Sequence, residues 1–355
     1  MYPLSLLYGL VIFIRNLCYD HNIIKSHEFP IPIISVGNIT AGGTGKTPHV
    51  EYLVDMLKNR FNVAVLSRGY KRNTRHFILA STESGVSEIG DEPVQIKRKF
   101  SEVHVAVDRS RVNGVRKLLE KIPGLDVILL DDAYQHRRIK PGLSILLIDF
   151  NRPITLDRLL PLGRLRENAQ GKRRAKIILV TKCPDGLKTI ERQKMARELM
   201  LDPYQYLYFT KLVYREPVPL FNDTHPGLRP SQIKTSDPDI LMVTGIAKPG
   251  LFKRHLRSFS PRIVEMIYPD HHHFRQRDID HILRRYRSMK GENRFIFTTE
   301  KDAVRLRKFI NIDVEIKNRI FYIPIEIEFL DEDRGNFNHQ ILIYVSGNKG
   351  DGILH

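Results

Sequence analysis

Short, continuous apolar runs recur along the first part of the chain, each stopping at glycine, charged or turn-forming residues. They fall at Ile31–Val36, Asn62–Leu66, Val103–Val107, Asp126–Leu130, Leu143–Ile148 and Ile177–Thr181. Runs without polar alternation predict strands buried on both faces, the signature of a parallel sheet. Between them lie helix-like stretches: from Thr47 to about Arg60, from Gly90 to about Phe100, and from Asp108-Arg109 through about Glu120. Alternating strands and helices to about residue 210 predict a parallel sheet with helices on both faces. Tyr206–Tyr214 reads as an extended crossing segment, and Asn222–Pro238, rich in Pro, Asp, Thr and Ser, reads as a boundary. A second α/β unit follows, with strands at Ile240–Val243, Ile263–Tyr268 and Arg294–Thr298, a helix near Leu251–Arg257, and a late strand at Ile320–Glu328 that returns across the domain linker.

The amino terminus breaks this rhythm. Leu4, Leu6, Leu7, Leu10, Val11, Ile12, Phe13 and Ile14 form an apolar stretch that Arg15 and Asn16 interrupt. As a helix it would be about 20 Å long, short of a hydrocarbon core of about 30 Å. It has no basic start and no small-residue cleavage site, so it does not read as a signal peptide. It is either a helix packed on its own domain or one lying in the membrane interface. The breadth of its apolar face and the basic chain favour the interface. The expected divisions are an interfacial helix over 1–20, a nucleotide-binding domain over 21–215, a second α/β domain with linker strands over 216–330, and a tail over 331–355.

Composition sharpens this only in part. The 355 residues carry a formal net charge of +17 and are 42% hydrophobic, enough for more than one core. Such a charge suits polyanions: nucleic acid, anionic membrane or phosphorylated substrates. Cys18 and Cys183 are far apart and have no metal-ligand spacing, which fits a reducing compartment without structural zinc.

Chemistry concentrates at the ends of the predicted strands. The first runs into Thr40-Ala41-Gly42-Gly43-Thr44-Gly45-Lys46-Thr47 and then a helix, the context in which Gly-Lys-Thr signals a phosphate-binding loop. Its glycines turn backbone N–H groups inward at a helix N-terminus. Lys46 would reach the β- and γ-phosphates, and the Thr47 hydroxyl would ligate Mg²⁺. Thr40 stands where the usual pattern has glycine. Asp131-Asp132 ends another strand as a Walker B element does, placing carboxylates to hold Mg²⁺ directly or through water. Ser67-Arg68-Gly69-Tyr70 is a basic strand-end loop that could grip a phosphorylated substrate or simply be solvated. Asp91 and Glu92 open a helix, where acids are also ordinary helix-start residues. Leu165-Arg166-Glu167 lies in a basic, turn-rich loop. Thr181-Lys182-Cys183-Pro184 invites comparison with the guanine-reading motif of GTPases, but Pro184 occupies the aspartate's position, so GTP is not inferred. His271-His272-His273 does not suit a metal, since adjacent side chains diverge; a histidine beside Asp270 at a strand end suits proton handling instead.

Ser-Val-Gly-Asn-Ile-Thr-Ala-Gly-Gly-Thr-Gly-Lys-Thr-Pro, Ser-Arg-Gly-Tyr, Gly-Asp-Glu-Pro, Asp-Asp-Ala-Tyr-Gln-His, Leu-Arg-Glu, Pro-Asp-His-His and Thr-Glu-Lys-Asp-Ala-Val occur in this order. Together they closely resemble the tetraacyldisaccharide 4'-kinase (lipid A 4'-kinase) family, from the N-terminal helix to about residue 330. Thr40 is a trait of that family, while Ala133 and Tyr134 replace its usual Gly and Phe. The resemblance implies a P-loop NTPase-like α/β/α sandwich with a second, smaller α/β/α domain and an N-terminal membrane-associated helix. It implies ATP and Mg²⁺, with transfer of the γ-phosphoryl group to the 4'-hydroxyl of an acylated glucosamine disaccharide 1-phosphate. The setting it implies is the cytoplasmic face of a bacterial inner membrane, with neither nucleic acid nor an obligate protein partner. By motif, Asp91 and His271 correspond to the catalytic pair. Thr47, Glu92, Asp131 and Asp132 correspond to the metal and phosphate surroundings, residues 40–47 to the ATP loop, and Arg68, Tyr70, Arg166 and Glu167 to substrate contacts. Two other classes stay open: a P-loop kinase of another phosphorylated lipid, and a membrane-associated ATPase switch.

Overall fold

The first unit is organised by its buried strands. The computed structural model describes residues 1–221, 233 and 237–348. By contacts the chain divides into Met1–Leu212 with Ile327–His355, and Val213–Glu326. The first unit opens with α1 (Tyr2–Asp20), followed by β1 (Ile33–Gly37), α2 (Lys46–Leu57), β2 (Val63–Ser67) and β3 (Ile78–Leu79). Then come α3 (Val86–Ile89), α4 (Asp91–Lys99), β4 (His104–Val107), α5 (Arg111–Lys121), β5 (Val127–Asp131) and β6 (Leu143–Asp149). A 3-10 turn at Ala169–Arg174, β7 (Ile177–Thr181), α6 (Thr189–Leu199) and β8 (Tyr206–Tyr214) complete the continuous part.

Every residue of β1, β2, β5 and β7 is buried, which is why the sequence shows unbroken apolar runs there. β1 pairs in parallel with both β5 and β6. β2 lies parallel to β4 and β5, and β7 parallel to β6 and β8, while β3 runs antiparallel to β4. Strands recruited early in the chain therefore extend to one side of β1 and later ones to the other, so a crevice opens at the carboxyl end of β1. Val115 and Leu118 of α5 pack with Ile33, Leu66 and Ile128 in one core cluster, and Met195 and Leu199 of α6 pack with Ile148, Ile178 and Phe209 in another.

The second unit begins with β9 (Val218–Pro219), β10 (Asp239–Thr244), α7 (Gly250–Leu256), β11 (Ile263–Ile267) and α8 (Gln276–Arg287). It continues with β12 (Arg294–Thr299), α9 (Glu300–Leu306), α10 (Val314–Lys317) and β13 (Ile320–Ile323). Its five-stranded sheet runs β11-β10-β12-β13-β9, parallel except where β9 meets β13. Most of the expected boundary at Asn222–Pro238 lies outside the described residues.

Three expectations are corrected. The late strand is two: beyond Pro324 the chain leaves the second sheet and joins the first as β14 (Ile325–Phe329), beside β8. Its neighbour there, Tyr206–Tyr214, is extended as expected and forms a full strand of that sheet. The expected tail at 331–355 contains α11 (Asp333–Gly347), whose Phe337, Ile341 and Val345 are buried. The Tyr344 hydroxyl of α11 donates to the Ile33 carbonyl and accepts from the Ile33 N–H, 3.1 Å in each case, so this segment belongs to the first unit's core.

The third correction concerns α1, which passes through Arg15 and Asn16 to Asp20 and has 19 residues. At about 1.5 Å per residue it is about 28 Å long. It is long and apolar enough to cross a membrane by length and composition. Charge does not end it, because neighbouring groups hold its polar residues: Arg137 donates to the Asn16 carbonyl at 2.9 Å and to the Asp20 carboxylate at 2.7 Å. The Ser5 hydroxyl donates to the Leu159 carbonyl and the Tyr8 hydroxyl to the Arg166 carbonyl. The other face leaves Leu4, Leu6, Leu7, Leu10, Val11, Phe13 and Ile14 about half or more exposed.

Candidate active site

The loop between β1 and α2 is held by its carbonyls. Gly42 and Gly45 have φ of 108° and 85°, the left-handed region that glycine enters without a Cβ clash. The Asn38 amide donates to the Gly42 carbonyl at 3.4 Å and to Thr44 Oγ1 at 2.9 Å. The Lys182 ammonium donates to the Gly43 carbonyl, and Thr181 Oγ1 to the Thr44 carbonyl at 2.9 Å. His49 Nδ1 lies 2.7 Å from the Gly45 carbonyl, which can only accept, so Nδ1 carries the proton. His49 Nε2 lies 3.0 Å from Thr210 Oγ1, and burial pushes this imidazole down to about 4, so it is neutral.

Thr40 shows why the missing glycine is tolerated. It forms an antiparallel bridge with Leu165, flanked by hydrogen bonds from Ala41 N to Arg164 O and from Arg166 N to Ile39 O. Its φ is not positive, so nothing at this position calls for glycine. The same pairing brings Arg166 to the loop. Arg166 Nη1 lies 3.5 Å from Asp132 Oδ1 and 3.4 Å from Gln135 Oε1, and Lys46 Nζ is also 3.5 Å from Asp132 Oδ1.

The strand-end aspartates differ in state. Burial would raise the Asp132 carboxyl, but Lys46, Arg166 and Arg111 outweigh it and hold it below its ordinary value. Asp131 is pushed up to about 6, first by burial and then by the charge of Asp132, with Glu92 adding to it. Its Oδ2 accepts from Ser67 Oγ at 3.2 Å, whereas its buried Oδ1 has no hydrogen-bond donor among the described residues. Arg111 is buried behind the pair and donates to the Asp131 and Asp108 carbonyls. Asp91 is buried in the first turn of α4, and Glu92 follows it. Arg68 and Tyr70 are exposed at the end of β2. Thr47 is half-buried as the second residue of α2.

Glu167 sits differently from its neighbour Arg166. It is 1% exposed, and Arg174 Nη2 approaches its two oxygens at 2.8 and 2.7 Å. Gln135 and Asn16 also donate to it, which braces α1 against the loop. Tyr134 explains one departure from the family pattern: its hydroxyl donates to the Gly171 carbonyl at 2.7 Å, and the Arg174 guanidinium lies over its ring. A groove of about 660 Å³ runs between α1 and the turn that follows Asn168, lined by Leu6, Leu10, Phe13 and Leu159 with Arg173 and Arg174.

In the second unit the three histidines separate. His271, at φ 58°, donates its backbone N–H to the Gly245 carbonyl at the end of β10. Lys301 Nζ lies 2.9 Å from its Nε2 and Arg305 Nη2 3.2 Å from its Nδ1. A neutral imidazole accepts at one nitrogen only, so the two cations compete for the ring. His272 stacks on Tyr268 and bonds Asp278 at 3.0 Å, a packing role, and His273 is exposed.

Sequence reasoning missed Asn38, His49, Thr181, Arg111 and Gln135 as parts of this constellation. Asn38 and Gln135 lie within family motifs and Thr181 within the GTPase-like motif, so these three carried a signal. The others act through contacts that no spacing reveals.

A glycine-rich cradle at the carboxyl end of β1, a helix-start lysine and paired strand-end aspartates define a P-loop phosphotransferase of the α/β class. Residues 1–345 match the tetraacyldisaccharide-1-P 4'-kinase family. The chain is 45% identical over 354 residues to the tetraacyldisaccharide 4'-kinase of Bacteroides thetaiotaomicron, covering 98% of this chain and 93% of that one. It is 42% identical over 353 residues to the enzyme of that name from Porphyromonas gingivalis, covering 98% and 97%. The crystal structure of LpxK from Aquifex aeolicus in complex with ATP superposes with a TM-score of 0.74 at 27% identity, covering 97% of this chain and 98% of that one. The chain belongs to the tetraacyldisaccharide-1-P 4'-kinase family.

Proposed function

We propose that the chain transfers the γ-phosphoryl group of ATP to the 4'-hydroxyl of a tetraacylated glucosamine disaccharide 1-phosphate, a step of lipid A synthesis. The observation that carries this reading is the gathering of Lys46 and Arg166 on Asp132, the neighbour of buried Asp131, next to the Gly42–Gly45 loop, in a chain of this family. The residues also fit Mg²⁺: a buried carboxylate oxygen without a donor, beside a second carboxylate, is a hard oxygen site suited to that cation. Thr47, Asp131, Asp132 and Glu92 would hold the ion, although among the described residues no three carboxylates stand gathered as a metal site. When bound, it would neutralise phosphate charge and help orient the transferred group.

The chain's own groups divide the remaining work. The N–H groups from Gly43 to Lys46 receive phosphate oxygens, Lys46 adds a point charge, and Arg166 faces the same anion from the far side. Asp91 takes the proton of the sugar hydroxyl, a role that contributes about 10²–10⁴-fold. His271 is assigned to proton handling by the motif it shares with the family. Arg68 and Tyr70 are placed for the phosphorylated sugar. The exposed apolar face of α1 rests on the inner membrane at its cytoplasmic side, and the groove beneath it, apolar with two arginines at its edge, suits an acylated anion. Radiolabelled transfer from ATP, run with a tetraacyldisaccharide 1-phosphate, other phosphorylated lipids and water as acceptors, tests the reading. Label in the disaccharide above all other acceptors supports it, and equal transfer to water overturns it.

A further inference from the structure

Four consecutive loop carbonyls, Gly42 to Gly45, each receive a side-chain donor: Asn38, Lys182, Thr181 and His49 respectively. In a planar trans peptide the C=O of one residue and the N–H of the next point in opposite directions. Turning these carbonyls into the protein therefore turns the N–H groups of Gly43, Thr44, Gly45 and Lys46 the other way, as an anion cradle requires. Three of the donors come from later or neighbouring elements: the end of β7 supplies Thr181 and Lys182, and α2 supplies His49.

Gly43 is the peptide that packing supports least. It is exposed, and a Cβ at this position would meet nothing within 4 Å among the described residues. Its carbonyl is held by Lys182, which adopts a φ of 59° at the end of β7. The Lys182 ammonium is itself fixed by Asp149 at 2.8 Å. Burial alone would raise the Asp149 carboxyl, but Lys182 and the Asn151 donors outweigh it and keep it below its ordinary value, hence charged. Asp149 closes β6 and Thr181 closes β7, so two adjacent strand ends reach the loop together.

We propose that Lys182, oriented by Asp149, is a positioning residue for phosphoryl transfer: it sets the phosphate cradle by holding the Gly43 carbonyl and takes no part in reading the base. This rests on the nucleotide binding proposed above. It also gives the GTPase-like Thr181-Lys182-Cys183-Pro184 stretch a use, since the motif keeps the residue that reaches the loop and lacks the carboxylate that would read guanine.

Lys182→Met should raise KM for ATP about ten- to a hundredfold, the worth of a hydrogen bond from a charged group, and leave KM for the lipid acceptor unchanged. Inhibition by inorganic tripolyphosphate, a probe without a base, should weaken in parallel. Lys182→Arg should recover much of the loss. Because Lys182→Met leaves Asp149 buried and unpaired, the Asp149→Asn/Lys182→Met double variant is also required. It should regain thermal stability and keep the ATP defect. ATP and tripolyphosphate affinities within twofold of wild type in the double variant would reduce the pair to a structural brace. A changed preference between ATP and GTP with tripolyphosphate inhibition intact would make Lys182 a base reader; either result overturns the proposal. Failure of the wild type itself to phosphorylate the lipid would count instead against the function proposed for the chain.

Discussion

Each unit carries a buried aspartate near the carboxyl ends of parallel strands, and the two are treated in opposite ways. Asp302, fully buried after β12, accepts from Thr244 Oγ1, the Gly245 N–H and Thr299 Oγ1 on one oxygen and from Arg305 on the other. Asp131, also buried as the last residue of β5, has among the described residues a donor on one oxygen only and is pushed up to about 6. A satisfied buried carboxylate rigidifies its corner; a half-satisfied one is a cost that persists where something else completes it. Asp302 thus fixes Arg305 beside His271, whereas Asp131 keeps a buried oxygen without a donor next to Asp132.

The largest expected effect comes from the carboxylate closest to the proposed chemistry. Asp91→Ala should lower kcat by about two to four orders of magnitude with ATP affinity and melting temperature nearly unchanged. A near-wild-type rate would return Asp91 to helix initiation. Asp302→Ala should act through stability, because it removes the carboxylate that the buried Arg305 guanidinium pairs with, a loss of about 3–5 kcal/mol. Chemical denaturation reads this directly, and unaltered stability with impaired turnover would break the contrast. Asp131→Asn should behave in the reverse manner. The folded state favours protonated Asp131, so that contribution is full below the ordinary carboxyl value of 3.8 and is lost as pH rises through about 6. Above that the charge is a burden of at most roughly 3 kcal/mol. The metal-free Asn variant should therefore melt higher than wild type at pH 8 and gain little at pH 4. Its stabilisation by Mg²⁺ and its turnover should both fall. A variant that melts lower at pH 8 would show Asp131 to be a brace after all. The smallest effect on the ATP site should come from α1: Leu10→Asp with Phe13→Asp should release the protein from anionic vesicles and raise KM for membrane-presented lipid, leaving KM for ATP unchanged. Vesicle binding that survives both changes would remove the interfacial role of α1.

Much of this was legible in the residue order. Unbroken apolar runs fall where strands are buried on both faces, and the Gly-Lys-Thr and Asp-Asp signatures lie at strand ends because local backbone geometry demands it. The late strand was harder, since one extended run serves two sheets and only pairing partners divide it. The length of α1 was underestimated because Arg15 and Asn16 look like breakers until Arg137 and Glu167, distant in sequence, are seen to hold this stretch of the helix. The 331–355 segment looked like a tail because its apolar residues gain meaning only against Ile33 and Tyr52.

The sequence by itself determined the alternating α/β order, the position of the phosphate loop and the carboxylates available to it, all properties of short stretches whose periodicity and spacing are local. Tertiary structure alone decided which of those groups are satisfied. Glu167 became a brace, Arg166 beside it turned to the phosphate loop, and Asp131 was left half-paired. Burial and hydrogen-bond completion depend on partners brought together by folding from up to hundreds of residues away.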